Sequence, residues 1–169
     1  MMITNEQLRQ TFLSEQMKHY LEKKLSPLSS EEVEVRIEEA LKYLNMASHR
    51  SGNIPFTKEI DEVWHFWILE TVEYGELCKK LHGGKFLHHS SNVYSDYKKA
   101  GNRKTDVEFV ISILSSYVIN YGAFDESRVK YWPFATKLME RLNWNVDQLN
   151  EWLGSVSQIH ISNEVVSGV

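Results

Sequence analysis

The stretch Asp61–Leu69 reads DEVWHFWIL, and from Val63 onward every residue except His65 is apolar or aromatic. Successive residues of a helix are about 100° apart, so such a run covers the whole circumference of a helix. A helix that is apolar on all sides is normally buried on all sides. We therefore expect this stretch to belong to the central helix of the fold.

The same helix extends outward from that stretch in both directions. Thr57 is a suitable N-cap, and the helical pattern continues to about Lys80. The pair Gly83–Gly84 then ends the helix, because glycine adopts left-handed backbone conformations without strain. We predict one continuous helix between these limits, followed by a long His-containing loop over residues 83–103.

Apolar residues at three- to four-residue spacing predict further helices on both sides of the central one. Four of them start with a capping signature, in which Ser, Thr or Asn is followed three residues later by Glu or Gln. The first predicted helix begins after Thr4 and ends before Pro27, and the second begins after Ser29 and ends near Ser48. The three later helices begin after Thr105, Pro133 and Asn145 and end at Tyr121, Leu142 and Leu153, respectively.

These elements predict an all-α fold, a single-domain helical bundle of about five to six helices around a buried central helix. The predicted domain covers residues 1–154. The Ser-rich segment 155–169 is expected to be a polar C-terminal tail, frayed or docked as an extended piece.

The overall composition is typical of a globular protein, since 42% of the 169 residues are hydrophobic and 25% are charged. A net charge of −4 provides no basic field for a phosphate backbone, so we expect no general nucleic-acid binding. Cys78 is the one cysteine, which excludes an intramolecular disulfide and fits a reducing compartment. No apolar run is long enough to span a membrane, and Met1–Gln10 has no apolar signal region. We expect a cytoplasmic protein.

His65 is the first candidate functional residue, because an imidazole in an apolar helix needs a hydrogen-bond partner or a metal ion. Asp61 and Glu62 lie one turn earlier, and either carboxylate can share a face with His65. Glu62 and His65 form the Glu-x-x-His half-motif of di-iron bundles, but we find no convincing second copy. In the alternative interpretation, Asp61 only accepts a proton from a histidine of the core.

The adjacent pair His88 and His89 is the second candidate. Neighbouring side chains diverge, so we expect one of the two at a site and the other elsewhere. Together with Asp61 and His65, one of them would complete a site of two histidines and a carboxylate, which binds zinc or iron and leaves a coordination position open. This reading predicts a metal-dependent hydrolase or oxygenase in which Glu62 moves protons.

Chain geometry restricts that hypothesis. In a continuous helix Lys80 lies roughly 22 Å from His65, whereas the residues from Lys80 to His88 span at most about 28 Å. The chain could therefore bring His88 back to His65 only if these residues were almost fully extended. Cys78 would lie about 20 Å from His65 on another face, so we interpret it as a small core residue.

A non-catalytic interaction module is the competing hypothesis. In this case Asp61, His65 and His88 or His89 are structural and only tie the loop to the central helix by hydrogen bonds. The determinants for a partner, a protein or an unknown small molecule, would then lie in the exposed loop Ser90–Lys104.

The segment from Ile60 to His89 also carries a family resemblance, in Ile60-Asp61-Glu62-Val63-Trp64-His65, Ile68-Leu69, Thr71, Tyr74, Cys78, Leu81 and Phe86-Leu87-His88-His89. It resembles the glycine-rich domain-containing proteins of plants and their short bacterial relatives. The resemblance implies a helical domain of poorly defined activity, with Asp61, His65, His88 and His89 as its site residues. That family has a second histidine where this chain has Trp67, so a site that used it would lack a ligand here.

Overall fold

The structure, a computed structural model, describes residues 2–90 and 107–166, with side chains up to residue 157. Within these ranges the chain forms helices and no strand, which confirms the all-α prediction. The described part contains nine helices, α1 (Asn5–Phe12), α2 (Glu15–Lys24), α3 (Ser30–His49), α4 (Lys58–Leu69), α5 (Thr71–Lys80), α6 (Val107–Tyr121), α7 (Glu126–Val129), α8 (Pro133–Leu142) and α9 (Val146–Val166).

Side-chain caps start three of the helices where the sequence predicts them, whereas Thr57, at the start of α4, makes no side-chain capping hydrogen bond. Thr4 and Gln7 form a reciprocal capping box at α1, with hydrogen bonds of 3.1 and 2.9 Å. At α3 the hydroxyl of Ser29 accepts from the third backbone N–H of the helix at 3.2 Å. Asn145 and Gln148 repeat the reciprocal pattern at α9. The predicted cap at Thr105 lies outside the described residues.

The first predicted helix is wrong as a continuous element. Leu13 adopts an extended backbone conformation and ends α1. Ser14 then caps α2, its hydroxyl accepting from the backbone N–H of Met17 at 3.1 Å. A serine inside a helical pattern can offer its side chain to the backbone and start a new helix, and here this local competition divides the helix.

The predicted continuous helix from Thr57 to Lys80 is also wrong. Glu70, with φ −91° and ψ 73°, separates α4 from α5. The indole N–H of Trp64 donates to the hydroxyl of Tyr74 at 2.9 Å across this break. In a straight helix these residues would be about 15 Å apart along the axis, so α5 folds back beside α4. A straight helix of the predicted length would extend beyond a core of this size, whereas the break lets both pieces bury an apolar face.

The most deeply buried helix is α3 rather than the helix that carries Asp61–Leu69, so the predicted identity of the central helix is wrong. Helix α4 buries one face, while the side chain of His65 is 52% exposed and Leu69 is 67% exposed. In α3 nearly every residue of the middle turns is buried, as shown by Val33, Val35, Ile37, Glu38, Glu39, Ala40, Leu41, Lys42, Tyr43, Leu44, Asn45 and Met46.

Charged residues inside α3 are buried because they pair with one another and with later helices. Glu39 is fully buried, and its Oε1 lies 2.7 Å from Lys42 Nζ and 2.9 Å from Arg128 Nη1. Its Oε2 accepts hydrogen bonds from the Tyr117 hydroxyl at 3.0 Å and the Trp132 indole at 2.8 Å. Burial lowers the pKa of Lys42, and Glu39 opposes that shift. One carboxylate thus connects α3 to α6, α7 and the start of α8.

Helix α9 crosses the predicted domain boundary at residue 154 and continues to Val166. The backbone of residues 155–166 is thus helical, while the division into a domain that ends at residue 154 and a C-terminal tail stays a prediction. Gly154 does not end the helix, since a glycine inside a helix costs only about 1 kcal/mol and Leu149 and Leu153 bury the face beside it. In the described ranges no helix is both long and apolar enough to cross a membrane.

The buried carboxylate predicts a large loss of stability in Glu39→Gln. The change removes the counter-charge of Lys42 and leaves Arg128 paired only with Glu38 and Asp125, and we expect the free energy of unfolding to fall by about 3–5 kcal/mol. Urea denaturation followed by circular dichroism measures it. Glu34→Gln is the matched control, because Glu34 is half exposed and its ion pair with Arg9 contributes about 1 kcal/mol or less. Equal losses in both variants would contradict the assigned role of Glu39.

Candidate functional site

Three side chains converge beside the exposed face of α4. Asp61 and His65 lie one turn apart on this helix, and His89 comes from the segment that follows α5. His89 Nε2 lies 2.7 Å from Asp61 Oδ1, and His65 Nδ1 lies 3.4 Å from Asp61 Oδ2. The two imidazole rings are 4.3 Å apart between centroids. Within the described part of the chain, this is the one group of three His, Cys, Asp or Glu residues with all ligand atoms within 4.8 Å of one another.

The break between α4 and α5 makes this convergence feasible. A continuous helix would leave the chain almost taut between Lys80 and the histidine pair. With α5 folded back, the Tyr74 hydroxyl accepts from the Trp64 indole and donates to the backbone carbonyl of Leu87 at 2.5 Å. Burial raises the pKa of the Tyr74 hydroxyl, which therefore remains a donor. This bond anchors the segment two residues before His89.

The hydrogen bonds define which nitrogen of each imidazole carries a proton. His65 Nδ1 lies 2.8 Å from the backbone carbonyl of Asp61, which can only accept, so Nδ1–H donates and Nε2 has the free lone pair. His89 Nε2 faces the Asp61 carboxylate, so in this arrangement Nε2 is the protonated nitrogen. A histidine with Nδ1 bonded to a carbonyl and Nε2 free is the common arrangement of a metal ligand.

One side of the cluster is buried and the other faces solvent. The side chain of His89 is 10% exposed, and its ring packs against Trp64 at 4.4 Å and Phe56 at 6.2 Å between centroids. Asp61 is 31% exposed and His65 is 52% exposed. An aromatic wall therefore supports the cluster from the inside, while a ligand can reach it from the side of His65.

The two remaining predicted site residues lie outside the cluster. His88 is exposed and its ring packs against Phe86 at 5.0 Å, so the divergence expected of an adjacent pair sends it away from Asp61. Glu62 is 49% exposed and lies 3.5 Å from Arg36 of α3. Its predicted role in proton transfer stays a prediction, as does the choice between zinc and iron.

Two other residues singled out in the sequence belong to the core. Trp67 is 1% exposed, so this position faces away from the half-open cluster and a histidine there would not join it. Cys78 is buried, as predicted. The loop Ser90–Lys104, proposed to hold partner-binding determinants, lies outside the described residues beyond Ser90.

Sequence reasoning missed how the cluster is supported. The hydroxyl of Tyr74 decides where His89 lies, and Phe56 completes the aromatic wall behind it. Tyrosine and phenylalanine in an apolar pattern predict only burial, so the sequence contains no signal for either role. The pair Asp61 and His65, in contrast, follows directly from a spacing of four residues in a helix.

Comparison with known proteins gives one match. The model of the UCP032817-like family, an uncharacterised family, matches residues 4–120, which include α1 to α5 and all three cluster residues. No curated protein and no solved structure matches the chain. The resemblance to glycine-rich domain-containing proteins is therefore wrong, because the family matched is a different one. The similarity lay in one window of about thirty residues, which is too short to identify a family.

The bond between Tyr74 and Leu87 predicts that Tyr74→Phe destabilises the protein. The change leaves the Trp64 indole and the Leu87 carbonyl without a partner, and we expect a loss of about 1–3 kcal/mol in urea unfolding. Signals of the His89 ring in NMR spectra should broaden or shift in the same variant. Tyr20→Phe, at a half-buried tyrosine packed on Phe66, is the control and should change stability by about 0.5 kcal/mol or less. Wild-type stability in Tyr74→Phe would overturn this anchoring role.

Proposed function

The chain belongs to the UCP032817-like family, and we propose that it binds one divalent transition-metal ion, zinc or iron(II), through Asp61, His65 and His89. The observation that carries the proposal is the convergence of two imidazoles and a carboxylate at the edge of a half-open site. The proposed activity is metal-dependent hydrolysis or oxidation of a small molecule.

The distances within the cluster suit such an ion. Zinc lies about 2.0–2.2 Å from nitrogen and oxygen ligands, so neighbouring ligand atoms are roughly 3.0–3.4 Å apart around it. Asp61 Oδ1 and His89 Nε2 are 2.7 Å apart as a hydrogen bond, and all ligand atoms lie within 4.8 Å of one another. To surround the ion, ligand atoms that lie up to 4.8 Å apart would have to approach one another by as much as about 1.5 Å through side-chain rotation. Binding through Nε2 of His89 would require the proton on that nitrogen to move to Nδ1 or to solvent.

The chemistry of the ligand atoms narrows the choice of ion. Imidazole nitrogen with a single carboxylate oxygen suits zinc and non-haem iron(II), whereas magnesium and calcium prefer oxygen ligands only. Three protein ligands leave coordination positions for water and substrate. A substrate would reach such an ion from the side where His65 is exposed.

A bound zinc ion would supply Lewis acidity for hydrolysis, and bound iron(II) would supply oxidation chemistry with dioxygen. The protein's own residues hold and shield the site. Asp61 orients both histidines, one through its backbone carbonyl and one through its carboxylate. Trp64 and Phe56 exclude water from the inner side of His89. Glu62, on the adjacent exposed position, is the proposed proton carrier.

Metal analysis of the tag-free full chain tests the proposal. We expect wild-type protein loaded with zinc, or with iron(II) without oxygen, to retain about one ion per chain in mass spectrometry of its metal content. Asp61→Asn, His65→Gln and His89→Gln should each weaken binding by about tenfold or more. His88→Gln is the matched control, because it removes the neighbouring exposed imidazole and should keep wild-type affinity.

The competing interaction module predicts a different result. If the bond between His89 and Asp61 only fastens the segment to α4, wild-type protein retains neither ion and His89→Gln changes stability alone. Such a result, or full metal retention in His89→Gln, would contradict the proposed metal site.

A further inference from the structure

A second pair of histidines lies apart from the Asp61 cluster. His49 is in the last turn of α3, and His82 follows the end of α5. Their ring centroids are 4.5 Å apart and their planes meet at 70°. Both side chains are exposed at the surface. The two residues are far apart in the sequence, and no motif connects them.

The backbone fixes the distance between these two residues. The side-chain oxygen of Asn45 accepts from the backbone N–H of His82 at 2.9 Å, and the Ser48 hydroxyl accepts from that of Gly83 at 3.1 Å. A Cβ at Gly83 would lie 2.0 Å from the backbone oxygen of Ser48, so only glycine allows this approach. The end of α5 is therefore tied to the last turns of α3, one residue from each imidazole.

The hydrogen bonds also prepare His49 as a ligand. Its Nδ1 donates to the backbone carbonyl of Asn45 at 2.8 Å, which leaves the lone pair on Nε2. The same arrangement, a histidine bonded to the carbonyl four residues earlier, occurs at His65. Burial lowers the pKa of His49; the hydrogen bond to the Asn45 carbonyl opposes this shift, and the proximity of His82 and Arg50 adds to it.

Space for further ligands lies beside His49. A cavity of about 380 Å³ opens next to this imidazole and is lined by His49, Arg50, Ser51, Phe109 and Ser112. Its hydroxyl and guanidinium groups offer hydrogen bonds to water molecules or to a small anion that would share the coordination sphere.

We propose that His49 and His82 form a second metal site, which takes an imidazole-preferring ion such as copper(II) or zinc, with water completing the coordination. A pair of imidazoles with no carboxylate brings no negative charge, and Arg50 opposes a cation. This site should therefore bind more weakly than the Asp61 cluster, and copper(II) should bind more tightly than zinc. It uses none of the three residues of the first site, so the absence of metal binding at one site would not exclude metal binding at the other.

The experiment removes the first site and titrates the second. In the full chain carrying Asp61→Asn and His89→Gln, equilibrium dialysis against copper(II) should still find about one ion per chain. Adding His49→Gln or His82→Gln should each lower the affinity by about tenfold or more. His19→Gln, at an exposed histidine of α2, is the matched control and should leave the affinity unchanged.

A second measurement uses the same chain carrying Asp61→Asn and His89→Gln, in which the tighter first site can no longer take up the copper(II). Substoichiometric copper(II) should broaden the NMR signals of the His49 and His82 rings, while the His19 ring remains sharp. Undiminished binding in both His49→Gln and His82→Gln, or equal broadening at His19, would reduce the site to nonspecific surface binding and overturn the proposal.

Discussion

The hydroxyl of Tyr74 holds together three parts of the chain that would otherwise separate. It accepts from Trp64 of α4, belongs to α5, and donates to the carbonyl of Leu87 in the segment beyond. Because the hydroxyl is buried, leaving it, the Trp64 indole or the Leu87 carbonyl without a hydrogen bond would cost about 1–3 kcal/mol. The turn at Glu70, the direction of α5 and the position of His89 are therefore coupled through one side chain.

The charged interior of α3 imposes a second constraint. A carboxylate as deeply buried as Glu39 is tolerated only with counter-charges and hydrogen bonds in place. Two of its four partners, Arg128 and Trp132, lie beyond residue 120, where the match to the family ends. Helix α3 lies within the matched region, but the charge of its buried Glu39 is balanced in part by residues of the C-terminal helices. Helices α7 and α8 are therefore part of the same folded unit.

Local signals were predictable from the sequence, and long-range ones were not. The caps at Thr4, Ser29 and Asn145 depend on residues three positions away and were predicted correctly. The break at Glu70 has neither glycine nor proline at the junction, and it results from burial of α5 against distant residues. Glu39 reads as a solvent-facing residue until its partners from α6 to α8 are known.

The same distinction between local and long-range signals applies to the candidate site. Asp61 and His65 are related by helical spacing, which the sequence contains. The choice of His89 over His88 depends on the path of the backbone after the Leu87 bond, which only the folded chain defines. The contact between His49 and His82 depends on the close approach of Gly83 to Ser48, for which the sequence has no signal.

Three hydrogen bonds hold the segment from His82 to His89. Asn45 holds its first residue, Tyr74 holds Leu87, and Asp61 holds its last residue. A chain held at three points has already lost most of its conformational entropy during folding. An ion bound at either proposed site would therefore meet ligands that are ordered in advance, and little of its binding free energy would be consumed in arranging them. Preorganisation of this kind would favour ions whose size fits the ligand positions, because an ion of another size would have to distort a segment that three hydrogen bonds hold in place.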